Sequence, residues 1–293
     1  MASTTRDIRR RIRSVRNTQQ ITKAMKMVAA AKLRKAQSRL MAIRPYEDAL
    51  AGKLALVLPR LVGDESPLLA ARGSGEKLAL VVIAADKGLC GAFTHNVLRR
   101  AEAFLREHAG CEVHLTAIGK NGTRYFVKSG REPVAAYTEM SENVTLAQAA
   151  SVMRKLVAAY LDGQVHEVHL LYSYFNNVIS QQVRAERLLP FEVPAVENLA
   201  EVGPQEEYIM EPGPEEVCDY LLGESLAVRL FRALLESASS EHGARMTSMD
   251  NATNNADDLI SDLTLQFNRA RQSAITTEIS EIVGGAEALS KGR

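Results

Sequence analysis

The stretch that decides the fold is TKAMKMVAAAKLRKAQ, residues Thr22–Gln37. It contains neither Gly nor Pro and is rich in Ala, Lys, Leu and Met, which are among the best helix formers, so it predicts an α-helix. Apolar side chains lie on several sides of this helix, and lysines interrupt them at positions 23, 26, 32 and 35. Because no single apolar face dominates, the helix is expected to meet more than one partner.

Outward from this stretch, apolar residues at 4,3 spacing extend the helix from about residue 4 to residue 58, in the a/d pattern of a coiled coil. The apolar positions are Ile8, Ile12, Val15, Ala29, Leu33, Ala36, Leu40, Ile43, Leu50, Leu54 and Val57. Polar residues fill the same register at Gln19, Thr22, Lys26 and Glu47. At 1.5 Å per residue the helix is about 80 Å long, and Pro45 is expected to bend or loosen it.

A second long helix is predicted from residue 215 to about 289, because no proline follows Pro214. Between the two helices, short apolar runs alternate with amphipathic segments, which predicts an α/β domain with a mainly parallel, Rossmann-like sheet. The predicted strands are Lys77–Ala85, Glu112–Ile118, Glu167–Tyr172 and, at the edge, Val178–Leu189. The predicted helices are Thr94–His108, Gly119–Gly130 and Thr145–Leu161.

The predicted fold class is therefore α/β plus a long antiparallel coiled coil, in which the N- and C-terminal helices pair and the α/β domain is inserted between them. The antiparallel direction follows because the insertion returns the chain close to the place where it left the first helix. The predicted boundaries are 1–58 for the first helix, 59–75 for a linker, 76–190 for the α/β domain, 191–214 for a connector and 215–293 for the second helix.

Charge is unevenly distributed along the chain, although the net charge is only +1. Residues 6–44 contain thirteen Lys and Arg and one acid, whereas residues 250–289 contain seven acids and two arginines. Antiparallel counting from the inner ends of the helices brings Val15 near Asp258. Ion pairs that fix the register are therefore expected between Arg11, Arg13 and Arg16 on one helix and Asp257, Asp258 and Asp262 on the other.

The second helix outruns the first by about twenty residues, on the same 1.5 Å rise for both helices. This tip continues the 4,3 spacing at Ile275, Ile279, Ile282, Ala286 and Leu289. A lone helix with an apolar stripe is poorly stable in water, so other chains are expected to surround it.

The segment DKGLCGAF, Asp86–Phe93, follows a predicted strand and opens a helix, which is where phosphate-binding loops lie. It matches neither GxxxxGK[ST] nor GxGxxG, so a tight turn is the favoured interpretation. A nucleotide-dependent enzyme that uses this segment is kept as an alternative. Cys90 is a weak candidate nucleophile, because no base can be assigned to it.

Other motifs favour no chemistry. His166 and His169 lie on a predicted strand and point to opposite faces, which disfavours a metal site. The three cysteines are far apart and form no CxxC, so free thiols are expected. The longest apolar run, Leu78–Ala85, is too short to cross a membrane. Nucleic acid is disfavoured, because the acidic second helix supplies partners for the N-terminal arginines.

Three segments resemble, in order and over essentially the whole chain, the gamma subunits of F-type ATP synthases. They are RDIRRRIRSVRNTQQITKAMKMVAAAKLRKAQ at 6–37, DKGLCGAFTHN at 86–96, and SEHGARMTSMDNATNNADDLISDLTLQFNRARQSAITTEISEIVGGAEAL at 240–289. The resemblance implies a rotor that couples rotation of the proton-driven c-ring to conformational cycling of the catalytic beta subunits. The implied partners are the alpha3beta3 ring, the epsilon subunit and the c-ring. A static coiled-coil scaffold is the alternative.

The resemblance also implies roles for single residues, without catalysis, cofactor or metal. Residues implied to contact beta subunits, or to be coupled to those contacts, are Met25, Lys26, Arg245, Arg271, Gln272, Thr276 and Glu278. Residues implied to sit in an apolar sleeve are Ile275, Ile279, Ile282 and Leu289. Since no transit segment precedes the helical pattern, the expected location is a bacterial plasma (inner) membrane, peripherally on its cytoplasmic side and only through the complex.

Overall fold

The computed structural model of the protein describes residues 5–58, 66–71, 73, 75–140, 144–192 and 210–291, with only the backbone for 287–291. Most of the predicted linker 59–75 and connector 191–214 lies outside the described residues. The chain divides into two compact units, Met1–Val28 with Met246–Arg293, and Ala29–Arg245. Helix α1 spans Thr5–Val57 and continues through Pro45, so the loosening expected there does not end the helix.

Every position of the predicted 4,3 register in α1, from Ile8 to Val57, is buried or half-buried. The polar members of the register obey the same rule, and Thr22 is among the buried ones. This confirms the periodicity on which the fold prediction rests, because burial decides which side of a helix stays apolar.

In the first unit, the start of α1 packs antiparallel against the last helix of the fold, which spans Pro214–Lys291. Contacts run in opposite directions along the two helices: Lys26 meets Asp250, Thr22 meets Thr253, and Arg9 lies over the ring of Phe267. On the longer helix the side chains of Met249, Ala256 and Leu263 are buried, one heptad apart. The predicted antiparallel pairing is confirmed.

The second unit holds one sheet, which within the described residues has five strands in the order β3-β2-β1-β4-β5. The strands are β1 Lys77–Ile83, β2 Glu112–Ile118, β3 Ala135–Tyr137, β4 Glu167–Phe175 and β5 Gln181–Leu189. All neighbours are parallel except the pair β4 and β5, so the predicted edge strand closes the sheet in the antiparallel direction. The prediction missed β3, which is only three residues long.

Helices cover both faces of this sheet. Helix α2 spans Phe93–Glu107 and α3 spans Lys120–Lys128; with Leu78, Leu80 and Val82 of β1 they form one apolar core. Helix α4 spans Leu146–Leu161 and begins with a capping box between Thr145 and Gln148. On this second face α4 joins the end of α1 and the start of the Pro214–Lys291 helix, here called α5. Successive side chains of β1 point alternately into the two apolar cores, so this strand is buried on both faces.

Candidate functional site

The carboxyl end of β1 is the place where a nucleotide would be expected, because the strand order reverses there between β2 and β4. Ligands of doubly wound sheets bind in the crevice at such a point. In this protein the second-unit part of α5 closes that crevice. The side chains that close it come from the stretch Ser237–Arg245.

Backbone groups of β4 bind α5 directly. Only Glu167–Leu171 of β4 pair with β1, so β4 continues beyond the end of β1. There the N–H of Ser173 donates to Oγ of Ser237 at 3.1 Å, and Oγ of Ser240 donates to the Ser173 carbonyl at 3.1 Å. A Cβ on Gly243 would lie 3.3 Å from the ring of Phe175, so a side chain there would require the ring to shift by a few tenths of an ångström. The helix occupies the place that a nucleotide would take.

The DKGLCGAF segment forms a tight turn whose polar groups are used inside the protein. The carboxylate of Asp86 accepts hydrogen bonds from the N–H groups of Lys120, at 3.0 Å, and Glu139, at 3.2 Å. Its charge thereby lies at the N-terminus of α3, where the helix dipole favours an anion. Asp86 therefore links the start of α3 to the loop at Glu139, and the acid of the DKGLCGAF segment has a structural role.

The thiol of Cys90 is buried and lies 3.8 Å from the Lys87 carbonyl and 3.6 Å from Oγ1 of Thr94. Within the part of the chain that the structure describes, the hydrogen-bond partners of this thiol are a carbonyl and a hydroxyl, and neither is a general base. Among the residues that the structure describes, no group of His, Cys, Asp and Glu side chains is arranged to hold a metal ion. His169 instead bonds Glu167 at 2.7 Å, and burial lowers the pKa of this imidazole although Glu167 opposes the shift.

Arg245 is buried against this turn. Its guanidinium donates to the carbonyl oxygens of Lys87 and Gly88 and to the carboxylate of Glu241. Only 9% of the residue is exposed. The resemblance implied a role for Arg245 in contacts with a beta subunit, whereas the structure uses the guanidinium inside the chain.

Met25 and Lys26 lie on the first-unit part of α1, and both are half-buried. Nζ of Lys26 lies 2.5 Å from Asp250 Oδ1, so this lysine belongs to the helix–helix seam. Apolar side chains near it face outward: Ile21, Met27 and Val28 are all exposed. Lys23 is exposed on the same stretch, so this surface combines apolar side chains with positive charge.

The predicted ion pairs of the seam are corrected by the structure. Gln19 donates to Asp257, and counting back from that contact puts Val15 opposite Ser261 rather than Asp258. Within the described part of the chain, no ion pair joins Arg11, Arg13 or Arg16 to Asp257, Asp258 or Asp262. The prediction was wrong by nearly one helical turn, because it counted from helix ends that the undescribed linker and connector separate.

The tip of α5 is exposed throughout. Every residue from Arg271 to Ala286 is exposed, including Gln272, Glu278, Ile275, Ile279 and Ile282. Oγ1 of Thr276 donates to the Gln272 carbonyl of its own helix at 2.9 Å. The side chain of Leu289 lies outside the described residues. The apolar stripe therefore faces solvent in the isolated chain.

Sequence reasoning missed a buried ionic cluster in the second unit. Arg232 of α5 lies 3.4 Å from Glu47 of α1 and 3.5 Å from Glu186 of β5. Glu236, one turn further along, is 5% exposed, and its Oε2 has no hydrogen-bond partner. Burial raises the pKa of Glu236 to about 7, although Arg232 and Arg184 oppose the shift.

Acids on helices usually face solvent, but Glu236 and Glu241 of α5 are buried. The available signal was the stretch LLESASSEHGAR, residues 234–245, in which every polar side chain is small, or is an acid or histidine within four residues of an arginine. Small polar residues along one helix allow a sheet to approach closely.

Together these features define the class of protein: a long antiparallel helix pair that carries an inserted α/β domain whose ligand crevice is closed by one of its own helices. A family model described as ATP synthase matches residues 4–289. The chain is 47% identical to the ATP synthase gamma chain of Symbiobacterium thermophilum over 99% of both chains. It is 48% identical to that of Moorella thermoacetica, over 97% of this chain and 98% of the relative. The chain belongs to the ATP synthase gamma chain family.

Solved structures share the fold. The chain resembles a chain in the rotor of Euglena gracilis mitochondrial ATP synthase in rotational state 1, with a TM-score of 0.62, 20% identity, and 92% and 98% of the two chains covered. A chain of the same organism's OSCP/F1/c-ring in rotational state 3 gives a TM-score of 0.66 at 21% identity, covering 98% and 95%. Among the residues that are described, none of the helices is both long and apolar enough to pass through a membrane.

Proposed function

We propose that the chain is the central-stalk rotor subunit of a bacterial proton-translocating ATP synthase. It couples rotation of the c-ring to conformational cycling of the catalytic beta subunits. Its partners are the alpha and beta subunits of the alpha3beta3 ring, the epsilon subunit and the c-ring. ATP forms in the beta subunits, so the chain is non-catalytic. It lies peripherally on the cytoplasmic side of the plasma membrane, and reaches the membrane only through the complex.

One observation carries this proposal: the tip of α5, from Arg271 to Ala286, exposes an isoleucine stripe that no described residue of the chain covers. Each isoleucine buried by a surrounding sleeve is worth about 1.5–3 kcal/mol. A ring of subunits around the tip supplies such a sleeve.

The proposed division of labour follows the domain boundaries. Residues 1–58 and 215–293 form the shaft, and residues 76–190 form the part that faces the epsilon subunit and the c-ring. Residues 59–75 and 191–214 connect the two. A coiled coil is suited to the shaft, because two paired helices resist bending more than one does.

The test is reconstitution with alpha and beta subunits, followed by single-molecule observation. The ring is fixed to a surface, and a probe is attached to the α/β domain of the chain. We expect a defined complex in which ATP drives stepwise turning of the probe in one direction. A complex that forms and hydrolyses ATP while the probe stays still would support a static scaffold instead. Absence of a complex would contradict both roles.

A further inference from the structure

The guanidinium of Arg245 donates hydrogen bonds to groups inside the second unit. Nε and Nη2 donate to the Gly88 carbonyl at 3.3 and 3.2 Å, and Nη2 donates to the Lys87 carbonyl at 3.2 Å. Nη2 also donates to Glu241 at 2.6 Å, and Nη1 donates to Nδ1 of His242 at 3.2 Å. Each guanidinium nitrogen therefore has a partner in the chain, which leaves little capacity for a direct bond to another subunit.

The turn that Arg245 holds has an unfavourable backbone. Leu89 adopts φ +60°, which is uncommon for a branched residue, and its side chain is 62% exposed. Cys90, the next residue, points inward and is 3% exposed. The two carbonyls immediately before this bend receive their donors from Arg245. A strained conformation persists only where its surroundings hold it, and Arg245 supplies hydrogen-bond donors to both of these carbonyls.

We propose that Arg245 is a positioning residue, which locks the turn Lys87–Cys90 onto α5 and so keeps Leu89 outward and Cys90 inward. The charged hydrogen bonds tie the loop after β1 to the helix that closes the crevice. Where the rotor function proposed above applies, the turn is then held by a helix that belongs to the shaft. Arg245 influences contacts with other subunits through the turn, and not by binding them itself.

The reactivities of the three cysteines measure whether Arg245 holds this turn, so no probe site has to be added. Cys90 and Cys218 are buried and Cys111 is half-buried, all as free thiols. The full chain and its variants Arg245→Gln and Arg245→Lys are labelled with a maleimide, and the modified cysteines are counted by peptide mass mapping. Loss of hydrogen bonds to a charged group raises local opening about 10- to 100-fold. We expect Cys90 labelling to accelerate by that factor in Arg245→Gln, and by less in Arg245→Lys, which keeps one donor group.

Arg232→Gln is the matched control, because it removes another arginine of α5, which is half-buried and whose ion pairs go to Glu47 and Glu186. We expect Cys90 to stay protected in that variant, and Cys218 to stay protected in all variants. Unchanged Cys90 labelling in Arg245→Gln would overturn the proposal. So would equal acceleration at Cys90 and Cys218, or in Arg232→Gln, because the effect would then be general loosening. The assay needs no partner subunit, so its failure is separate from failure of the rotor function.

Discussion

At the scale of single residues, Glu236 is a carboxyl group enclosed by charges from three elements. Glu47 faces it from α1, Arg184 and Glu186 from β5, and Arg232 from α5. Tyr172 of β4 belongs to the same cluster, and burial, followed by the nearby glutamates, raises the pKa of its phenol. Because acids and arginines are nearly balanced here, burial decides the protonation of Glu236.

The folded protein therefore binds a proton at Glu236 more tightly than the unfolded chain does. Folded-state pKa values near 7 against 4.5 unfolded give a contribution that is neutral below about pH 4.5 and becomes a penalty of about 3 kcal/mol above pH 7. We expect Glu236→Gln to stabilise the protein at pH 8 relative to the wild type and to have little effect at pH 5. Urea unfolding followed by circular dichroism measures the difference. A difference independent of pH would contradict this assignment.

Gly119 lies between β2 and α3, where both the backbone conformation and a close contact favour glycine. Its φ is +104°, and a Cβ there would lie 2.2 Å from the Ala84 carbonyl oxygen. We expect Gly119→Ala to cost at least about 3 kcal/mol in urea unfolding, because both the conformation and the contact resist a side chain. Gly130→Ala is the matched control, with φ +77° but open space around the site. Its expected loss is about 1 kcal/mol, and equal losses in the two variants would show that the contact is unimportant.

At the scale of elements, α1 and β3 show what a sequence can predict. The 4,3 register of α1 was correct over fifty residues or so, because a regular burial pattern must repeat along a helix. Strand β3, with the sequence AAY, is too short to show any period. The register between the helices was missed by about three residues, because it was counted from predicted helix ends and not from a contact between the helices. The buried cluster around Glu236 was missed because its members come from distant parts of the chain.

The exposed stripe on α5 leads to a test at the same scale. Ile275, Ile279 and Ile282 are exposed, so replacing all three with serine is expected to change the unfolding free energy of the isolated chain by no more than about 0.5 kcal/mol per site. Assembly with alpha and beta subunits is expected to weaken at least about tenfold, because each isoleucine loses burial in the sleeve. Titration of the complex by ATPase activity measures this.

The matched control places serine at Val127 and Val134, which are equally exposed but lie on the α/β domain. Assembly with alpha and beta subunits should be unaffected in this variant. If both variants assembled like the wild type, the tip would not be the part that the ring encloses.

At the scale of the whole molecule, the distribution of burial predicts the order of proteolysis. Buried side chains are concentrated between Leu226 and Met249 of α5, and beyond Arg269 the described side chains are exposed apart from half-buried Ala270. Regions without buried contacts open most readily. We expect trypsin to cut the isolated chain first at Arg269 or Arg271, and the complex with alpha and beta subunits to be protected there. Mass spectrometry of early digests identifies the sites, and first cleavage within α2 or α4 would contradict this expectation.

The closure of the crevice by α5 has a consequence for free nucleotides. A nucleotide entering beside β1 would have to displace Ser237, Ser240 and Gly243. These residues belong to α5, which is covalently connected to the sheet. A tethered competitor acts at an effective concentration of order millimolar or higher, before the strength of its contacts is counted. Free ATP or ADP at micromolar concentration therefore competes poorly for this place. We expect the α/β domain to leave such nucleotide unbound, although its sheet has the strand order of nucleotide-binding folds.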